Sequence, residues 1–534
     1  MFSKKFIFVI AFGLLVFMLL VTGCSRSQAE KTYAGKGKNE LILALGAEPQ
    51  GGFDPTTGWG RYGSPLFQST LLKRDNNLKI VNDLATGYKV SDDGLIWTVT
   101  LRQDVKFSDG TPLSAADVKY TFETAMKSGS VVDLNNVQSI GIADDYTVVF
   151  VLRQPQSTFV NSLVTMGIVP KHAHNANYAQ QPVGSGPFKF VQWDKGQQLI
   201  VEANPYYYGE KPQFKKITFL YLSEDAAMAA AKAGKVDVAA VPPSFSKQQV
   251  QGMKLLAMDS VDNRGIMFPY VQAGGKTDKG LDVGNDVTAD IAIRKAINVA
   301  INRKALVDGV LEGQGTPAYT VCDGLPWWNP DSAFMDADIN AARKMLGEAD
   351  WNDNDGDGIL EKGFIKAEFT LLYSSSDKTR QSLAIAVADM VKPLGIKIRT
   401  EGKSWDDIKK LMHANAVLFG WGSHTPLEMY SLYSSKNAGV EYYNAGFYNN
   451  PAVDVYMEKA LAALSEAEAL DYWKKTQWDG TTGVSAKGDA PWAWLVNLKH
   501  CYLVRENLDV GKPKVEPHGH GWPITDNIVE WHWK

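Results

Sequence analysis

Residues 517–534, PHGHGWPITDNIVEWHWK, close the chain and hold three of its eight histidines, His518, His520 and His532. If this stretch is extended, residues two apart face the same side, so the imidazoles of His518 and His520 can converge. Gly519 and Gly521 permit a close, bent approach. Imidazole is the commonest metal ligand and suits nickel, cobalt, copper and zinc. The alternative is a polar loop whose histidines cap backbone groups. Trp522 stands beside the pair and could wall a site. His532 alternates with tryptophans in VEWHWK and reads as part of a last strand.

Other candidates are scattered. GGFDPTTGWGRYGSPLF (51–67) sets Trp59, Arg61 and Tyr62 on a glycine-rich loop, a usual place for binding residues. Arg61 can fork a carboxylate or stand as a surface arginine in a structural loop. SSSDKTRQSLA (374–384) puts Arg380 at a helix start, where the backbone favours an anion. LFGWGSHTPLEMYSLY (418–433) carries Trp421, His424 and Glu428. ADWNDNDGDGILEKG offers Asp353, Asp355, Asp357 and Gly358, the first half of an EF-hand loop. The position for the bidentate glutamate is Phe364, so the pattern fails there. An Asp/Gly turn between helix and strand is the better reading, weak calcium binding the alternative. GxxxxGK[ST], HExxH, GxSxG and GxGxxG are all absent, so no motif recommends an enzyme.

The first residues fix a compartment. Lys4 and Lys5 precede an apolar run from Phe6 to Val21, then Thr22, Gly23 and Cys24. This reads as a secretory signal with a cysteine at the cleavage point, since the run is short for a spanning helix and no charged flank stops it on the far side; the alternative is an uncleaved signal anchor. LVTGC resembles a bacterial lipobox, which implies lipidation of Cys24 and a membrane anchor. Residues 25–39 are polar and read as a flexible tether. Besides Cys24 there are only Cys322 and Cys501, able to pair outside the cytoplasm or to stand as isolated buried thiols.

The body has ordinary globular composition, 45% hydrophobic and 21% charged, and 534 residues exceed one core. Net charge is -4, and loss of Lys4 and Lys5 with the signal makes it -6, so nucleic acid is disfavoured as a partner. Strand-like runs occur at 41–45, 96–102, 147–152, 198–203, 217–222, 368–373 and 396–400. Helical runs lie between them. Ser114 and Asp117 make a capping-box pattern before one, Ile293, Ile297 and Ile301 repeat along another, and a third stops at Pro393 and Gly395. Alternating strands and helices predict α/β lobes.

Four long stretches, 83–125, 182–219, 293–318 and 342–363, resemble in order the signatures of the extracytoplasmic peptide/nickel-binding proteins of ABC importers (solute-binding family 5). The resemblance implies two α/β lobes that close on a ligand: a front lobe at 40–265 with an extra subdomain at 74–182, a back lobe at 266–495, and a tail at 496–534 returning to the front. It implies hinge crossings near 264–271 and 490–500, a monomer, and delivery to a permease and its ATPase rather than catalysis. In peptide-binding members an arginine at the place of Arg380 grips the ligand carboxylate, and an acidic residue three positions after the tryptophan holds its ammonium. Here that position is His424, and an imidazole cannot replace a carboxylate for a buried ammonium. Glu428 is a nearby substitute. The nickel-binding branch uses one or two histidines plus a small organic chelator, whose carboxylates Arg61 and Arg380 would hold. The expectation is therefore nickel or a metal chelate, ligated by His520 with His518 as helper or alternate, and with His424 and Arg380 approaching from the back lobe. A di- or oligopeptide is the alternative.

Overall fold

The computed structural model describes residues 39–46, 48–62, 66–128, 134–519 and 522–534. Cys24 and His520 lie outside them. Among the described residues no helix is long and apolar enough to cross a membrane.

Eleven strands form one mixed sheet: β1 (Glu40–Ala44), β2 (Phe188–Asp194), β3 (Gln198–Ala203), β4 (Lys216–Leu220), β5 (Val238–Val241), β6 (Met253–Met267), β7 (Gly315–Pro317), β8 (Glu368–Ser374), β9 (Lys397–Lys403), β10 (Ala416–Trp421) and β11 (Trp492–Arg505). Their order is β9-β8-β10-β6-β11-β5-β1-β4-β3-β2, with β7 also on β11. The strand-like runs of the sequence fall on these strands and on the smaller sheet described below. The two longest, β6 and β11, pair antiparallel from Met253 opposite Arg505 to Met267 opposite Trp492.

These two strands carry the chain between the lobes. At one end the core gathers Ile266, Ile293, Ile297, Leu371, Leu383, Val387, Leu418 and Leu495. At the other it gathers Leu43, Val201, Ile217, Phe219, Val238, Tyr502, Ile524 and Trp531. Each is a separate apolar interior, which gives the two-lobed α/β architecture. A separate four-stranded antiparallel sheet over residues 85–152 has its own core around Trp97, Phe122 and Phe150.

Helix α1 (Ala115–Lys127) covers that small sheet; the Asp117 carboxylate accepts from Ser114 N–H at 2.9 Å, closing the N-terminal turn. Helix α2 (Ile291–Ala300) is shorter than the isoleucine repeat suggests. Ile301 is extended, and the Asn302 side chain accepts from Ala305 N–H to start a separate short helix, Arg303–Gly309. A capping side chain offers the backbone a better partner than continuation. Arg303 is fully buried and donates to the carbonyls of Asn298, Ala318 and Trp494, tying that helix to β7 and β11. Two further helices flank β8: α3 (Ile339–Glu348) before it and α4 (Lys378–Val391) after it. Cys322 and Cys501 are free and buried, the second of the two alternatives for them.

Candidate functional site

The strands that cross between lobes lose register between Asp259 and Asn263 and again between Arg264 and Gly265. Such bulges leave backbone unpaired and re-aim side chains. Ser260 Oγ fills part of the gap, donating to Leu498 O at 2.6 Å and accepting from Asp262 N–H at 3.1 Å. The C-terminal tail fills the rest: Val261 N–H donates to Glu516 O at 2.8 Å and Glu516 N–H to Asp259 O at 2.9 Å. Asp262 is left 3% exposed where both strands and the tail meet.

Its carboxylate is a hub. Oδ1 accepts from Arg264 Nη1 and from His518 Nδ1, the latter at 2.5 Å, while Oδ2 accepts from His500 Nε2 at 3.0 Å. His500 Nδ1 donates to Glu516 Oε2 at 2.5 Å, and Tyr502 Oη donates to the same oxygen at 2.8 Å. The two histidines differ. Burial would lower His500, but hydrogen bonds to Asp262 and Glu516 outweigh it and hold the pKa at about 9, so the ring is an imidazolium. Burial wins at His518, whose pKa lies below the usual range despite Asp262. That ring is neutral. With its proton on Nδ1 facing the carboxylate, its lone pair is on Nε2. A carboxylate behind a neutral imidazole fixes tautomer and orientation in metal-ligating histidines. The His518 side chain keeps 13% exposure.

Arginines converge beside it. A methyl group on Gly420 of β10 would come within 2.5 Å of Arg264 Nη1 and 2.8 Å of Arg380 Nη2, so both guanidiniums flank one point and a side chain there would push them aside. Arg380 is held by Asp377, the N-cap of α4, and lies 5.4 Å over the Trp405 ring. Each arginine is 8% exposed, and neither Nε has a hydrogen bond among the described residues. Burial, then the charge of Arg264, lowers Arg380 to about 10, which leaves it protonated at neutral pH. Two desolvated guanidiniums with unfilled N–H groups are suited to a carboxylate.

The loop after β1 also reaches His518. The Arg61 guanidinium lies 4.7 Å over the Tyr62 ring, and that ring is 5.9 Å from the His518 ring. From the far lobe, Glu428 accepts from Gly422 N–H at 3.0 Å and Ser423 N–H at 3.2 Å. Burial outweighs those bonds and raises its carboxyl to about 7. Trp421 packs at 5.6 Å on Tyr443. Gly422 has φ 149°, and a Cβ there would sit 2.4 Å from Val261 O. Its missing side chain lets the loop reach the hinge, where Gly422 O accepts from His518 N–H at 2.8 Å.

Arg61, Tyr62, Arg380, Trp421 and His518 thus gather where β6, β11 and the C-terminal tail meet. Three sequence candidates stand elsewhere. His424 O accepts from Arg74 Nη2 at 2.6 Å, and Arg74 also bonds Asn161, a bridge between the lobes. The His424 ring is buried there, and burial, then the charges of Arg74 and Lys514, lower it to about 3. Trp59 and Trp522 are in the front-lobe core: their rings meet at 5.6 Å, and Trp522 stacks on Phe219 at 4.4 Å. The sequence reading missed Asp262, Arg264, His500 and Glu516. The available signal was two opposite charges spaced two apart in SVDNRGIMF, which face one side of a strand, and a histidine inside the apolar run of β11.

Comparison with known proteins places this geometry. The profile of bacterial extracellular solute-binding proteins, family 5 (middle region), matches residues 79–442. Protein XP55 of Streptomyces lividans is 32% identical over 512 residues, 91% of this chain and 89% of that one. Among solved structures, NikZ from Campylobacter jejuni in complex with Ni(L-His) superimposes with a TM-score of 0.80 at 26% identity, over 93% of this chain and 100% of that one. The oligopeptide-binding protein AppA from Bacillus subtilis in complex with a nonapeptide gives 0.74 at 25% identity, with the same coverage.

Proposed function

The chain belongs to the bacterial extracellular solute-binding proteins of family 5, which serve ABC importers, and we propose that its cargo is nickel carried as a carboxylate-bearing chelate. The observation that carries this reading is the neutral His518 imidazole with Nδ1 tied to Asp262 at 2.5 Å. A carboxylate behind a neutral imidazole is the arrangement that orients metal-ligating histidines. Arg264 and Arg380 hold a carboxylate of the chelator, and Arg61, Tyr62 and Trp421 close over it. His520, one residue beyond Gly519, is the second tail ligand. The lobes at 40–265 with 496–534 and at 266–495 close about the crossing strands, and ligand contacts to both stabilise the closed state. The closed protein then presents its cargo to the permease.

A second reading is a peptide carrier, favoured by Glu428 on the turn after Trp421 and by the likeness to AppA. Two features weigh against it. Glu428 is near half-protonation at neutral pH and already accepts two backbone N–H groups. The position three after Trp421 is His424, which is neutral and engaged with the other lobe.

Co-crystals grown with Ni2+ and L-histidine test the site. Diffraction at the nickel edge should show an anomalous peak bonded to a tail imidazole, with the histidine carboxylate at Arg264 and Arg380. A cleft with no nickel peak and a peptide between the lobes would replace this reading with the second.

For delivery, we infer that Cys24 is lipidated and that residues 25–39 tether the protein outside the membrane. Cys24→Ala should leave the precursor unprocessed or free the protein from the membrane fraction. Normal processing and retention of that variant would refute the anchor.

A further inference from the structure

The loop between α3 and the hairpin Glu361–Lys362/Ile365–Lys366 wraps around its own carboxylates. Asp353 accepts from Gly356 N–H at 2.7 Å and Gly358 N–H at 3.1 Å; Asp355 accepts from Asp357 N–H and Asp357 from Ile359 N–H. One oxygen from each of Asp353, Asp355, Asp357 and Glu361 lies within 4.8 Å of the others. Four carboxylates this close repel unless a cation sits among them. Calcium binds oxygen at about 2.3–2.6 Å with about six to eight ligands in flexible geometry, which a loop of carboxylates this close can supply.

Glu361 is the independent observation. It is only 7% exposed, its Oε2 accepts from Asn354 N–H at 2.8 Å, and its Oε1, aimed into the cluster, has no hydrogen bond among the described residues. A buried carboxylate oxygen is costly without a partner. The nearest charge is Lys366 Nζ at 3.4 Å, which bonds Asp355 at 2.8 Å and also Asp357. That ammonium occupies the place of a cation, on a side chain 39% exposed. The twelfth loop position, Phe364, is at the fully exposed hairpin tip, but the fold brings the ninth, Glu361, back over the aspartates.

We propose that Asp353, Asp355, Asp357 and Glu361 form a calcium site that clamps this loop, with Lys366 as its displaceable counter-ion when the ion is absent. Extracellular calcium modules work at about 10⁻⁴–10⁻³ M, the regime of a protein outside the cytoplasm. The test is terbium luminescence of the mature protein, sensitised by Trp351 two residues before Asp353. Terbium emission should saturate and be displaced by calcium at about 10⁻⁴–10⁻³ M, and not by equal magnesium. Glu361→Gln should weaken calcium at least ~10-fold. Lys366→Met, which removes the competitor, should tighten it. Absence of saturable emission in the wild type, or a Lys366→Met variant that binds calcium no better than wild type, overturns the proposal.

Discussion

Asp262→Ala should cost about 3–5 kcal/mol of stability and lower ligand affinity at least ~100-fold, because it removes the one carboxylate shared by Arg264, His500 and His518. Buried charges lose more from a missing partner than they gained from the pair. The binding loss has a separate cause: His518 loses the acceptor that fixes its tautomer, and Arg264 loses its anchor beside Gly420. The pH dependence follows from His500. Its folded pKa of about 9 exceeds the unfolded 6.5, so its contribution is fully present below 6.5 and is lost as pH rises through about 9. Asp262 works oppositely. Its pKa is well below 3.8, because the charge of Arg264 and the hydrogen bonds from His500 and His518 overcome the effect of burial, so its share is present above 3.8 and lost only in strong acid. Urea unfolding of the wild type should therefore show stability falling between 6.5 and about 9, and Asp262→Asn should flatten that fall. Equal stability and an equal slope in both proteins would show that the hub is not what ties the hinge.

Much of the fold was legible because local signals agreed with the tertiary structure. The runs at 147–152 and 198–203 are strands with those limits, and the Ser114/Asp117 pattern caps a helix where it stands. Periodicity misled at Ile301, where a capping asparagine overrides the apolar repeat. The candidate site was half legible. Of the residues that gather there, Arg61, Tyr62 and His518 were singled out by residue type and turn context, Arg380 and Trp421 by the family resemblance. The hub was not, since Asp262, His500 and Glu516 lie on three distant segments that only a bulge and a returning tail bring together. Trp59 and Trp522 show the reverse error: a tryptophan near glycines looks like a pocket wall, yet both rings pack in the core. Glu361 escaped because motif spacing counts residues, whereas a hairpin can deliver a ligand from an earlier position.

The claim that the cleft takes nickel as a chelate rather than a peptide is tested most directly by calorimetry on metal-stripped protein. Nickel with L-histidine should bind tightly. Nickel with histamine, which keeps the imidazole and amine but lacks the carboxylate, should bind about 10–100-fold more weakly, the worth of a charge-assisted hydrogen bond of about 1.5–3 kcal/mol. His518→Ala should lose at least ~10-fold for nickel–histidine, since changes behind a ligating imidazole alone cost about 10–100-fold. A mixture of di- to nonapeptides should give no saturable heat. Tight peptide binding that is indifferent to His518→Ala, with no heat from nickel and histidine, would contradict the account and make this protein a peptide carrier.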